Sequence, residues 1–308
     1  MATASPAALT GISAEDATGL PSPGGRILVP ILDETAINRA IELATTIARN
    51  RRAELLICYP VTAPGRTPYE HVNRTGVHRE VAKHVFRMQT DPSTDVLVRG
   101  TVRVGRRAIG IIERMIDPYE VDTVVLERSR SDGTSDLRRD VVARITARTN
   151  CDVVVVSGEG HLDVSSVLVP VAGGPHAGRA IDVAREVATA NDAWIDLLYA
   201  IDSSATERER ADAEQYVTMG LDRLGEFETA DTWVLEADDV AAAIIEQSTY
   251  YDATVLGAPQ EGRLRRFVAG STTDTVRSDA SNSVIMVARE ERLARDRLSR
   301  QPGPGLSR

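Results

Sequence analysis

The sequence predicts an α/β chain built as two tandem copies of one domain, each a five-stranded parallel sheet flanked by helices. The first observation behind this is an internal repeat. Arg26-Ile27-Leu28-Val29-Pro30-Ile31 is echoed by Ser166-Val167-Leu168-Val169-Pro170-Val171. Arg39-Ala40-Ile41-Glu42-Leu43-Ala44 is echoed by Arg179-Ala180-Ile181-Asp182-Val183-Ala184, and Ala53-Glu54-Leu55 by Ala193-Trp194-Ile195. All three pairs keep an offset of 140 (27 to 167, 39 to 179, 53 to 193). That period is far too long for a solenoid and is the size of a domain. The second observation is length: 308 residues suit two such units, each large enough to bury a core. The third is alternation. Short apolar, β-branched runs suited to doubly buried strands take turns with stretches of helical period, the pattern of βαβ units.

In the first copy, residues 27–31 form an apolar run and read as a strand. Residues 36–50 place Ile37, Ile41, Ala44 and Ile47 on one helical stripe. A strand over 54–59 and a Pro/Gly/Thr loop over 60–68 follow. The next helix sets Val77, Val81, Val85 and Met88 on one face, and a strand is expected over 95–99. Helix 104–117, strand 121–126, helix 136–149 with Val141, Val142 and Ile145 inward, and strand 152–157 complete the copy.

The second copy repeats the order. Strand 166–172, helix 176–190 and strand 194–201 lead to a long polar helix over 206–227 whose acidic start suits the positive end of the helix dipole. Strand 232–236 precedes helix 239–249, with Asp238 as the expected N-cap. Strand 253–256 ends at Gly257, and helix 271–280 precedes strand 283–288. The expected organisation is a disordered tail over 1–25, a domain over 26–157, a linker over 158–165, a domain over 166–289 and a charged tail over 290–308. The short linker implies that the copies pack as an intramolecular pseudo-dimer. Asp152 to Val156 and Ser283 to Val287 are the expected adjoining strands, since such Val-rich edges left open invite aggregation.

Composition narrows the function classes. No apolar run reaches the roughly 18 residues that span a bilayer, and the first 25 residues lack the basic start and apolar stretch of a secretory signal. A cytoplasmic protein is expected. Cys58 and Cys151 sit in apolar runs without metal-like spacing and read as buried thiols. The net charge is −9 and Lys83 is the sole lysine, a balance found in salt-loving archaea and also produced by arginine codons of a GC-rich genome. The negative field disfavours nucleic acid as a partner, and 4% aromatic content disfavours base stacking. His71, His78 and His84 have neither paired spacing nor a partner cluster and read as surface residues rather than metal ligands.

Three stretches of the second copy resemble the universal stress protein family: Val167-Leu168-Val169-Pro170-Val171, Tyr251-Asp252-Ala253-Thr254-Val255-Leu256-Gly257-Ala258, and Gly270-Ser271 followed by Ser283-Val284-Ile285-Met286-Val287. The first copy carries a weaker likeness at Ile27 to Pro30 and Val121 to Leu126. Val-Ala-Gly-Gly-Pro-His and Gly-Ala-Pro-Gln-Glu-Gly look like the stress domains found beside or fused to amino-acid permeases. The resemblance implies a flavodoxin-like sheet in each copy and pairing through the last strands.

It also implies a test for nucleotide binding. Binding members carry Gly-x2-Gly-x9-Gly-(Ser/Thr) after the fourth strand, where backbone N–H groups hold the phosphates. Gly257 and Gly270 have the family spacing and Ser271 follows, but Gln260 takes the middle position, with Gly262 two residues late. The adenine-side Asp of the first strand is matched by Ala172. In the first copy Leu126 is expected in the place of Gly257, Arg138-Arg139-Asp140 replaces Gly-Ser, and Asp33 lies one residue late. No nucleotide is expected there.

Gly257, Gly270 and Ser271 read either as a phosphate cradle or as strand-end and helix-start geometry. Arg263, Arg265 and Arg266 read as a solvated turn, and His176 as a helix-start residue. No Ser/His/Asp set or carboxylate pair marks a catalytic centre. The resulting expectation is a non-enzymatic regulator that acts through protein contacts, with a membrane transporter as a partner class and a homodimer as one assembly. The alternative is an adenine-nucleotide sensor holding ATP at Gly257, Gly262, Gly270 and Ser271, and a slow ATPase is a third.

Overall fold

The computed structural model describes residues 24–32, 37–63, 65, 67–68, 75–90, 95–128, 144–145, 151–158, 161–171, 176–258 and 282–288. The first copy contributes β1 (Arg26–Pro30), α1 (Asn38–Arg51), β2 (Glu54–Thr62), α2 (Thr75–Thr90), β3 (Val98–Gly105), α3 (Ala108–Ile116), β4 (Val121–Arg128) and β5 (Asp152–Ser157). The second contributes β6 (Ser166–Pro170), α4 (Ala177–Asn191), β7 (Trp194–Ile201), α5 (Glu207–Leu224), β8 (Ala230–Glu236), α6 (Val240–Ser248), β9 (Ala253–Gly257) and β10 (Ser283–Ala288). The expected helices over 136–149 and 271–280 lie outside the described residues, apart from two helical residues, 144 and 145.

All ten strands join one sheet in the order β3-β2-β1-β4-β5-β10-β9-β6-β7-β8. Each half is parallel in the order 3-2-1-4-5, and the halves meet where β5 and β10 pair antiparallel from Val284 opposite Ser157 to Ala288 opposite Val153. A pseudo-twofold axis therefore passes through this pair, as the pseudo-dimer expectation required. On one face a single apolar core runs through both halves, from Leu43 and Ile47 through Val154, Val156 and Ile285 to Val183 and Val187. The opposite face carries separate clusters, one around Leu28, Ile112 and Leu126 and one around Leu168, Leu198 and Ile244. One shared layer makes the halves a packing unit rather than beads on a string.

Several boundaries move for local reasons. β2 continues through Pro60 to Thr62, and β3 pairs with it over eight positions from Val98 to Gly105, so the strand expected over 95–99 is shifted and lengthened. Helix α3 then starts at Ala108 instead of residue 104. Hydrogen bonding to a neighbouring strand overrides the local helical period there. Helix α5 begins with a capping box, Thr206 accepting from the Glu209 N–H and Glu209 accepting from the Thr206 N–H, and stops at Gly225, whose φ is 63°. The cap of α6 is Asp239, whose carboxylate accepts the Ala242 N–H at 3.1 Å, and Asp238 instead accepts from the Ser203 hydroxyl. Cys58 and Cys151 are buried thiols, and burial pushes the Cys58 thiol up to about 12 against the pull of Arg103. His78 is exposed on α2.

Candidate functional site

In a doubly wound sheet the ligand crevice lies beyond the carboxyl ends of the strands where the order reverses. Here those points fall between β1 and β4 and between β6 and β9. Strand pairing identifies equivalent positions in the two crevices. Ile27 is opposite Thr123 in the first copy, and its repeat mate Val167 is opposite Ala253 in the second. Four residues on, Glu127 and not Leu126 stands where Gly257 stands. Leu126 points to the other face and is buried beside Leu28 and Ile112.

The Glu127 carboxylate accepts the Ala40 N–H at 3.1 Å. Ala40 lies in the first turn of α1, whose N-cap Ile37 supplies no side-chain cap. A first-turn N–H lacks an intrahelical acceptor and faces the positive end of the dipole, so it favours an anion. In the first copy the chain's own carboxylate occupies that place.

The second crevice is built differently. A Cβ placed on Gly257 would come within 2.9 Å of the carbonyl carbon and the Cβ of His176. Gly257 lets the end of β9 press against the start of α4. That helix begins one residue earlier than α1 relative to the repeat, so the Ala180 N–H, mate of Ala40, already bonds the His176 carbonyl at 3.0 Å. The strand-end reading thus accounts for Gly257 at the level of packing. Gly262, Gly270, Ser271, Ala172, Asp33, Arg138 to Asp140 and the arginines at 263, 265 and 266 lie outside the described residues, as does the middle position Gln260. Among the described residues no group of three or more His, Cys, Asp or Glu side chains is arranged to hold a metal ion.

A second polar constellation sits at the junction of the copies. Arg39 and Arg179, the residues that open the repeated helical motif, each cross to the opposite half. Arg39 is buried and donates to the Ser283 hydroxyl at 2.8 Å. Arg179 donates to the Asp152 carboxylate at 2.9 Å and to Asp182 at 3.0 Å. Arg51 near the end of α1 forks onto Glu186 of α4 at 2.6 and 3.0 Å and also donates to the Thr123 hydroxyl. Burial raises the Glu186 carboxyl above its ordinary range, against the pull of Arg51. Burial also acts to raise Asp182, but Arg223 and Arg179 overcome it and hold that carboxyl below its ordinary range. Of these side chains Arg51, Asp152, Arg179, Asp182 and Glu186, together with Asp122 and Arg185, line a cleft of about 670 Å³ between α1 and α4. The repetition of an arginine at positions 39 and 179 was the sequence signal for this junction, and nothing in composition distinguished it from ordinary helix-start charge.

The universal stress protein family model matches the chain twice, over residues 25–157 and 164–288. The chain belongs to the universal stress protein family. Solved structures with this tandem fold include a universal stress protein from Archaeoglobus fulgidus, 14% identical, covering 89% of this chain and 99% of its own, with a TM-score of 0.57. A protein of unknown function from Pseudomonas aeruginosa is also 14% identical, with 86% and 92% covered and a TM-score of 0.56. The cytoplasmic domain of a prokaryotic cation chloride cotransporter is 12% identical, with 86% and 95% covered and a TM-score of 0.58. Among curated proteins no sequence matches. No described helix is long and apolar enough to cross a membrane.

Proposed function

We propose that this stress-family chain is a non-catalytic regulator that acts through protein contacts, with a membrane transporter as the partner class. The observation that carries the reading is the first crevice, where Glu127 sits on the N–H of Ala40 and takes the place an anionic ligand would need. A copy closed in this way serves as a scaffold. Support for the partner class comes from the tandem fold itself, which in one similar structure is the cytoplasmic domain of a cotransporter. Photo-crosslinking from exposed positions such as Phe86 and Tyr250, in the cells that make the protein, tests it. A transporter among the crosslinked partners is the expected result. A set of crosslinks without any integral membrane protein would sink the partner class.

A second reading is favoured by the side-chain-free end of β9. In it, the second copy senses an adenine nucleotide, with phosphates held by the backbone of Gly257, Gly262, Gly270 and Ser271. Glycine permits close backbone approach, and a helix start supplies N–H donors. Ala172 cannot accept a hydrogen bond from the adenine side, so binding is weak and base selectivity poor. Calorimetric titration of Mg-ATP and GTP into the wild type and Gly270→Val in molar KCl decides it. Saturable binding lost in Gly270→Val supports the sensor. No binding, or binding that survives the substitution, removes it.

A further inference from the structure

The pseudo-twofold axis relates the contacts at the junction in pairs, and among the described residues those of the linker have no mate. The linker leaves β5 and runs along the amino edge of the second half-sheet. His161 Nδ1 lies 2.6 Å from Glu42 Oε1, and the Leu162 N–H donates to Glu42 Oε2 at 2.9 Å. The N–H groups of Ser165 and Ser166 donate to Asp252 at 2.9 and 3.0 Å. Leu162 and Val164 are buried in the shared core, and Arg39 donates both to the Ser283 hydroxyl and, at 3.5 Å, to the His161 carbonyl. The linker slot is thus framed by Arg39, Glu42, Asp252 and Ser283.

The repeat assigns each of these a mate. Arg39 maps to Arg179 and Glu42 to Asp182 in the repeated helical motif. Asp252 and Asp122 each precede the paired strand residues Ala253 and Thr123, and Ser283 and Asp152 each open a last strand. All four mates, Arg179, Asp182, Asp122 and Asp152, line the cleft of about 670 Å³. The cleft is the pseudo-twofold mate of the linker slot. The described chain also ends at its rim, because Ala288 pairs with Val153, the neighbour of Asp152.

We propose that this cleft is the docking slot for the chain's own segment after β10, residues 289–295, which lie outside the described residues. The linker from Gly158 to Val164 reads Gly-Glu-Gly-His-Leu-Asp-Val, and the segment from Arg289 to Arg295 reads Arg-Glu-Glu-Arg-Leu-Ala-Arg. Counting from the last strands, Glu290 is the mate of Glu159 and Leu293 the mate of Leu162. By the same count Arg292 is the mate of His161, and Asp182 is the mate of Glu42, the partner of His161. The segment carries three arginines and two glutamates, and the cleft presents Asp122, Asp152, Asp182 and Glu186 against Arg51, Arg179 and Arg185, so a small positive excess meets a small negative one. The inference stands apart from the partner and nucleotide readings above.

Nitroxide labels on the full chain test it, at Thr189→Cys in the cleft wall and Ala294→Cys in the segment, with Cys58 and Cys151 buried away from the reagent. The expected result is a short, narrow label–label distance that persists on dilution with unlabelled chain and is lost on Leu293→Asp, with circular dichroism unchanged. A broad distribution in the wild type overturns the proposal. So does a short distance that vanishes on dilution, which assigns the slot to a second copy, or one that is indifferent to Leu293→Asp.

Discussion

Gly257 and Glu127 occupy equivalent strand ends and solve the same problem in opposite ways. At Gly257 the His176 backbone stands 2.9 Å from where a Cβ would lie, so any side chain must push a helix start aside. Gly257→Ala is expected to lower stability by about 1–3 kcal/mol, the usual cost of forcing extra atoms into a packed site. Urea unfolding checks this, with a lower midpoint and an unchanged slope as the expected pattern. At Glu127 the carboxylate serves as a remote cap. Glu127→Ala is expected to cost about 1 kcal/mol, as for loss of an N-cap, and Glu127→Gln to retain most of it because the amide oxygen still accepts. Equal losses for the two variants would show that the hydrogen bond to Ala40 does not matter. The sequence displayed Gly257 as a motif residue, but it did not display Glu127. The identity of its donor, the Ala40 N–H 87 positions away, depends on a register that only strand pairing establishes.

Among elements, α1 and α4 are the pair that crosses the junction. Arg51 reaches Glu186 and the Asn50 side chain donates to the Glu186 carbonyl at 3.1 Å, so the end of one helix is tied to the middle of the other. Arg51→Ala leaves a largely buried carboxylate without its fork, which is expected to cost about 1–3 kcal/mol at neutral pH. The sign of the pH dependence follows from Glu186, whose carboxyl is raised by burial even with Arg51 present. A raised carboxyl contributes stability that is full below its unfolded value and is lost as pH rises through the folded value. Removing Arg51 raises it further, so the variant's deficit should shrink as pH falls toward 4.5, the ordinary glutamate value. Urea midpoints at acid and neutral pH decide this, and a deficit independent of pH would show that Glu186 does not carry the coupling. Most elements were legible from periodicity, because amphipathic spacing and turn residues are local. β3 was misplaced because its extent comes from eight pairings with β2, and helical period in Val104 to Asp117 gave no warning of them.

For the whole molecule, the shared core and the β5–β10 ladder predict that the copies unfold together. Calorimetric and van't Hoff enthalpies should agree, and two separated transitions would contradict a common core. The net charge of −9 adds a salt dependence. Self-repulsion is strongest at low ionic strength and is screened as the Debye length falls from about 10 Å at 0.1 M to about 3 Å at 1 M. The melting temperature should rise from low to molar KCl. A flat or falling trend would leave the arginine-rich composition to codon usage rather than to a saline habitat.

The sequence by itself determined the tandem repeat, the α/β alternation, the stress-family likeness and the pairing of last strands. The alternation is written in local periods and the repeat in a copy at a constant offset, while the likeness rests on short motifs and the strand pairing on what that likeness implies and on the Val-rich edges. The tertiary structure alone decided that Glu127 accepts the Ala40 N–H at the first crevice, that Arg39 and Arg179 cross the axis to opposite halves, and that the linker fills one of two slots related by the pseudo-twofold axis. Those contacts join residues far apart along the chain, and their partners are chosen by strand register and by the handed path of a linker that can pass only one side of the axis.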